Sequence, residues 1–215
     1  MRRGYLIVEG HGDGDAALNV LTRLATDLGL HGLHWNRPIR GKNLHQERGV
    51  AKAADLIRFE GDAGAMLVLR DLDDGCPKEV APRAARQLRA LRLPFPNAIV
   101  LAFREFESLF LPCISLMAGK RLRSKEGIET SGLLPSATFE GDPQAKRGVK
   151  EWLSENMPPG RSYKPTLDQL PLARMVDFET VRNSQPPLPF FGSLERALRF
   201  LYRQMGEGTR ETYPS

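Results

Sequence analysis

Ala65-Met66-Leu67-Val68-Leu69-Arg70-Asp71-Leu72-Asp73-Asp74-Gly75 is an apolar run that stops abruptly in carboxylates and a glycine. The same pattern occurs near the start, in Tyr5-Leu6-Ile7-Val8-Glu9-Gly10-His11-Gly12-Asp13. Each run is too short for a buried helix and reads as a central parallel strand whose C-terminal end opens into a site. Open α/β sheets bind ligands outside the carboxyl ends of their strands. Glu9 after the first strand, with Asp71 and Asp73 after the later one, would place three carboxylates at one edge. That is the usual ligand set of a hard divalent cation such as Mg²⁺. Asp71 and Asp73 are two apart and point the same way on an extended strand end. Two like charges that close repel unless a cation or a shared proton lies between them. Asp and Gly also serve as caps and turns at strand–helix junctions. Either stretch alone would be read that way; the two together favour a metal site.

Outward from these runs, strands alternate with helical patterns. Glu9 to Gly14 is a glycine-rich turn; Asp15 is placed to cap a helix with Ala17, Val20, Leu24 and Leu28 on one face. A second strand is expected over Leu33 to Ile39, and a helix from Asn43 to about Arg58. Pro77 fits a helix start. Ala98-Ile99-Val100-Leu101-Ala102 is a further strand, followed at once by Arg104-Glu105-Phe106-Glu107-Ser108-Leu109-Phe110-Leu111, which reads as helical. This alternation predicts an α/β class with a mostly parallel central sheet flanked by helices. After Gly119 the character changes. Lys120 to Pro143 reads as a loop, and short helices are expected over Arg147–Asn156, Leu167–Val176, Phe178–Arg182 and Leu194–Met205, with a frayed end from Gly206. The expected organisation is an α/β core over 1–118 and a loop and helical C-terminal extension over 119–215, packed on that core.

The 215 residues have the apolar and charged fractions of an ordinary soluble globular protein. Cys76 and Cys113 make no disulfide framework and fit a reducing cytosol, so a cytoplasmic location is expected. No stretch is long and apolar enough to span a bilayer, and the start is too short for a signal peptide before Glu9 intervenes. The net charge of +5 is compatible with a polyanionic partner but does not require one.

Val8-Glu9-Gly10 after a first strand, with an Asp-x-Asp after a later one, resembles the Toprim domain of topoisomerases, primases and OLD-type nucleases. The chain more particularly resembles a family of small stand-alone Toprim-like bacterial proteins of unknown function, often encoded beside an ATPase. The further stretches that carry the likeness are Arg104-Glu105-Phe106-Glu107-Ser108-Leu109-Phe110, Arg161-Ser162-Tyr163-Lys164-Pro165-Thr166 and Leu172-Ala173-Arg174-Met175 to Asp177. The resemblance implies Mg²⁺ or Mn²⁺ bound by Glu9, Asp71 and Asp73, and phosphodiester chemistry on nucleic acid. It also implies Glu107 as a further site carboxylate, although sequence leaves open whether Glu105 or Glu107 faces inward. A connection to an ATPase partner and to anti-phage defence comes from the resemblance alone.

Lys164 is a candidate partner for a buried Glu107, and Lys164 with Arg161 a candidate phosphate clamp; a solvated loop is the equal alternative. Asp74 reads as a helix cap or an outer ligand. His11 reads as a loop residue or a proton shuttle. Arg83, Arg86, Arg89 and Arg92 form a stripe that is a solvated helix face or a nucleic-acid track. A dinucleotide fingerprint is rejected because the last glycine is misplaced and Asp13 and Asp15 would repel a phosphate. The Asp-x-Asp loop of haloacid-dehalogenase-type phosphatases fails on strand order and on the missing glycine. An EF-hand fails because Pro82 and Arg83 stand near where its Glu is needed. The functional expectation is thus a metal-dependent nuclease or phosphodiesterase with Glu9, Asp71, Asp73, Glu107 and Lys164 in the active site. The alternatives are a non-catalytic metal- or nucleotide-sensing module of an ATPase, and a small-nucleotide hydrolase. The oligomeric state is not legible.

Overall fold

Every strand pairing in the central sheet is parallel among the described residues, which are 2–10, 13–72 and 74–214 of a computed structural model. His11 and Asp73 lie outside them. The elements in chain order are β1 (Arg2–Val8), α1 (Asp13–Asp27), β2 (Leu33–Trp35), β3 (Ile39–Arg40), α2 (Glu47–Asp55), β4 (Ala63–Asp71), α3 (Pro77–Ala90) and β5 (Asn97–Ala102). A 3₁₀ segment, Phe106–Cys113, leads into α4 (Ile114–Met117). Then come a small antiparallel hairpin of β6 (Arg121–Arg123) and β7 (Glu129–Ser131), and α5 (Val149–Glu155). A π-helical turn, Pro165–Gln169, precedes α6 (Leu170–Ala173), α7 (Phe178–Arg182), α8 (Pro189–Glu207) and β8 (Thr212–Tyr213).

The sheet order is β2-β1-β4-β5-β8, with β3 also on β1 beyond β2. The chain leaves β1 toward β2 and β3, then returns to β1's other side as β4. The order therefore reverses between β1 and β4, and in open α/β sheets that reversal is where ligands bind. Val8 stands opposite Leu69 in the register, so Glu9 and Asp71 emerge from neighbouring strand ends.

Alternation along the strands sorts side chains to two faces. Tyr5, Ile7, Met66, Val68 and Ile99 bury against Val50 and Ala54 of α2, Ile57 just after it, and Ala84, Ala85 and Leu88 of α3. Leu6, Val8, Leu67, Leu69 and Val100 bury on the other face with α1 and the C-terminal helices. The α/β class with helices on a mostly parallel sheet is the one expected.

The structure differs from that expectation in four places. The expected second strand is two short ones, broken around Pro38, where a proline cannot donate to a ladder. The stretch after Lys120 contains the β6–β7 hairpin. The tail beyond Gly206 is not frayed: Gly208, at φ +70°, ends α8, and Thr212 pairs with Asn97 as an edge strand on β5. Helix α8 starts five residues earlier than its apolar stripe indicated, at Pro189, and buries Phe190, Phe191, Leu194, Leu198 and Leu201. The indole of Trp35 donates to the Tyr202 hydroxyl at 3.1 Å, joining β2 to α8. Gly4 permits that approach, since a Cβ there would lie 2.6 Å from the Trp35 ring. Arg23 of α1 donates to the carbonyls of Ala173 and Val176 at 2.9 and 2.6 Å, satisfying carbonyls at the end of α6. No helix among the described residues is long and apolar enough to cross a membrane.

Candidate functional site

Asp71 ends β4, and its carboxylate accepts a hydrogen bond from the Phe106 amide at 2.9 Å. That bond ties the strand end to the start of the 3₁₀ segment. The segment forms because Phe106, Leu109 and Phe110 are fully apolar and pack into the core, with Phe106 and Phe110 edge to face at 6.0 Å. Glu107 lies between them and is carried into the interior with no exposure.

A buried carboxylate is costly unless it is hydrogen-bonded and paired. The Tyr163 hydroxyl donates to Glu107 Oε1 at 3.0 Å, and the Gln169 amide donates to the same oxygen at 3.1 Å. The Lys150 ammonium lies 3.5 Å from Glu107 Oε2. It also lies 3.8 Å from Glu105 Oε1 and 4.0 Å from Asp71 Oδ2. One ammonium, one-third exposed, thus faces three carboxyl groups.

Lys150 is aimed there by α5. Glu105 Oε2 accepts from the amides of Val149 and Lys150 at 3.0 and 3.4 Å, capping that helix where Gly148 supplies no side chain of its own. Ser154 of α5 donates to the Lys150 carbonyl and accepts from the Tyr163 amide, fixing the loop that delivers Tyr163. Glu105 and Glu107 therefore both reach the cluster, Glu107 from within and Glu105 from its rim.

Glu9 is engaged on the opposite face of the sheet. Its carboxylate accepts from the Leu44 amide at 3.1 Å, with His45 Nδ1 at 3.7 Å. Its carbonyl accepts from Arg40 at 3.2 Å. Leu44 belongs to the cluster under α2 and α3, whereas Asp71 turns toward Phe106 and Lys150. Neighbouring strand ends thus send these two carboxylates to different sides. The cation at Glu107 is Lys150; Lys164 is exposed, and its amide donates to Asp168 at 2.8 Å. Arg161 pairs with the buried Asp168 and donates to the Thr130 hydroxyl and the Ser131 carbonyl, so it braces the hairpin. Asp74 does not cap α3, whose N-cap is Cys76; it pairs with Arg104 at 3.0 Å and Arg147 at 2.6 Å.

Among the described residues, no three His, Cys, Asp or Glu side chains close together on one point as a metal's ligands do. The donor chemistry nevertheless suits a hard cation, since Asp71, Glu105 and Glu107 offer only carboxylate oxygens. Three carboxyl groups thus gather around the Lys150 ammonium. Glu105 was weighed in the sequence only as the alternative to Glu107, and Lys150 was missed for a plain reason. Lys150 lies in no apolar pattern, and its partners are 43 to 79 positions away in the sequence. No protein-family model matches this chain. A search of curated proteins also returned no match.

Proposed function

We propose that this chain is a Toprim-type nuclease or phosphodiesterase, dependent on Mg²⁺ or Mn²⁺ and acting on nucleic acid in the cytoplasm. The observation that carries the reading is Glu107. It has no exposure, yet it sits at the carboxyl edge of a parallel sheet beside Asp71, Glu105 and Lys150. A purely structural core position is filled at lower cost by an apolar side chain, and buried ionisable groups gather at functional sites. Asp71, Glu107 and Glu105 would hold the ion, with Asp73 as the sequence-derived addition; Glu9, expected from the sequence to be a ligand, is turned to the other side of the sheet and is left out of this set. The ion would supply positive charge to the attacking and leaving oxygens of a phosphodiester. Tyr163 and Gln169 orient the Glu107 carboxylate, Lys150 keeps the carboxyl groups gathered, and the exposed Lys164 is free to approach a phosphate. An ATPase partner and a role in anti-phage defence rest on the resemblance alone.

The test is cleavage of labelled DNA and RNA with Mg²⁺ or Mn²⁺ against EDTA. Asp71→Asn and Glu107→Gln should each lower metal-stimulated cleavage by about a hundredfold or more, the scale of lost electrostatic stabilisation. Cleavage that survives both substitutions undiminished would sink the reading. A second reading, a non-catalytic partner module, is favoured by one observation: Lys150 already supplies the cluster with a cation. It expects no polymer cleavage and no rise in melting temperature with Mn²⁺. Hydrolysis of mononucleotides without polymers would select the small-nucleotide alternative.

A further inference from the structure

We infer that the cleft between the loop after β3 and helix α2 is a docking surface for single-stranded nucleic acid. The inference rests on the nucleic-acid reading above and places the strand on this chain. The cleft has a volume of about 530 Å³, and Arg40, Lys42, Arg48, Lys52 and Leu56 line it. No carboxylate is among its described lining residues, which leave out the side chain of Glu47. The four cations are all exposed, as is Arg37 just before them. Among the described side chains, which do not include that of Glu47, no carboxylate lies within ion-pair distance of Lys42, Arg48 or Lys52. A concave surface lined by one sign of charge focuses its field and concentrates a polyanion.

The cleft is built rather than accidental. A Cβ on Gly49 would lie 2.1 Å from the Asn43 carbonyl, so only glycine lets the loop lie on the start of α2. Asn43 itself turns the loop at φ +55°. The loop is bonded to the sheet's carboxyl edge, because Arg40 and the Leu44 amide both donate to Glu9. One end of the cleft therefore abuts the strand ends where the carboxylates emerge.

Arg48 and Lys52 of α2 and Leu56, its C-cap residue, are four apart and continue one stripe. Phe59 follows in the next turn and is 88 % exposed; Leu56 is 65 % exposed. Cationic side chains tracking a backbone, followed by an exposed aromatic ring, are the two parts that single-strand binding uses. A duplex keeps its base faces stacked and cannot offer one to Phe59. The acidic groups nearby are Asp55, paired with Arg58 at 3.0 Å, and the exposed Glu60 and Asp62, the latter paired with Arg3 at 2.7 Å. They lie at the Phe59 end, and Glu9 lies at the other, its carboxylate engaged by the Leu44 amide; the described charged side chains lining the cleft between them are cationic.

The test uses the full chain in EDTA, so that binding is read without cleavage. Fluorescence anisotropy would compare a thymidine oligonucleotide, a duplex of equal length, and phosphatidylserine vesicles. The oligonucleotide should bind best. Lys42→Ala, Arg48→Ala and Lys52→Ala combined should reduce the slope of log affinity against log salt by about 2, roughly 0.7 per phosphate contact on a single strand. Phe59→Ala should weaken the oligonucleotide about tenfold and leave the duplex little changed. All four side chains are exposed, so unchanged melting temperatures would exclude misfolding. Retention of affinity and salt slope in the triple variant overturns the inference. Equal or tighter binding of duplex or vesicles overturns it as well. Loss of binding in the triple variant, with no cleavage in any metal, would retain the docking surface and remove the nuclease reading. Metal-stimulated cleavage that the triple variant leaves intact would do the reverse.

Discussion

Glu107 concentrates the residue-scale problem of this protein. Its neighbours Phe106, Leu109 and Phe110 were recognisable as inward-facing from their apolar character, so a buried carboxylate in this stretch was legible, but not whether it was Glu105 or Glu107. Its partners were not. Tyr163, Gln169 and Lys150 come from segments whose local patterns say nothing about a carboxylate more than forty positions away. Periodicity reports which face of an element is inward; it does not report what meets it there. The Tyr163 hydroxyl bond to a fully buried carboxylate is the kind that contributes about 1.5–3 kcal/mol. Tyr163→Phe should therefore lower unfolding stability by roughly that amount in urea titration. Combined with Glu107→Gln it should lose less than the sum of the two single changes, because both act on one contact. A Tyr163→Phe protein as stable as the parent would mean that the phenol is not what holds Glu107.

The strongest elements in the sequence were the ones that bury both faces. β1, β4 and β5 read as near-continuous apolar runs, which is why the parallel sheet was legible. The β6–β7 hairpin was not, because its strands are three residues each and mostly exposed. β8 has only two residues, and its identity as a strand lies in its pairing rather than its composition. That pairing ties the end of the chain to the sheet. The Asn97 amide N–H donates to the Glu211 carbonyl at 3.0 Å, and the Thr212 hydroxyl donates to the Asn97 side-chain oxygen at 2.9 Å. Asn97 is 1 % exposed and Thr212 2 %. Thr212→Val keeps the shape and removes the donor, leaving a buried acceptor without it. The expected cost is about 1–3 kcal/mol. Hydrogen exchange at β5 and β8 would check it, with faster exchange at the Asn97 amide than in the parent. Equal protection in the two proteins would show that the edge strand holds without this bond.

Across the whole molecule, one buried cluster joins the N-terminal sheet to the C-terminal helices. Leu6, Leu67 and Val100 share it with Phe110, Leu172, Phe191 and Leu198. Cys113 sits in this cluster with no exposure, its thiol directed to the Asp177 carbonyl at 3.6 Å. Burial is the main reason that its pKa is pushed up to about 11, from an ordinary value near 9. Tyr202, on α8, is raised in the same sense by burial, partly opposed by the Trp35 hydrogen bond. A thiol raised on folding binds its proton more tightly in the native state. Its contribution to stability is present in full below pH 9 and is lost as pH rises toward 11. Two pH units correspond to about 2–3 kcal/mol at most. Unfolding by urea at intervals from pH 8 to pH 11 should therefore show stability falling with pH. In Cys113→Ala the fall should be shallower by up to that amount, whatever the substitution costs at pH 8, because Tyr202 is common to both proteins. Parallel curves for the two proteins would mean that the thiol ionises inside the folded core without penalty, and that this part of the junction between sheet and helices admits water.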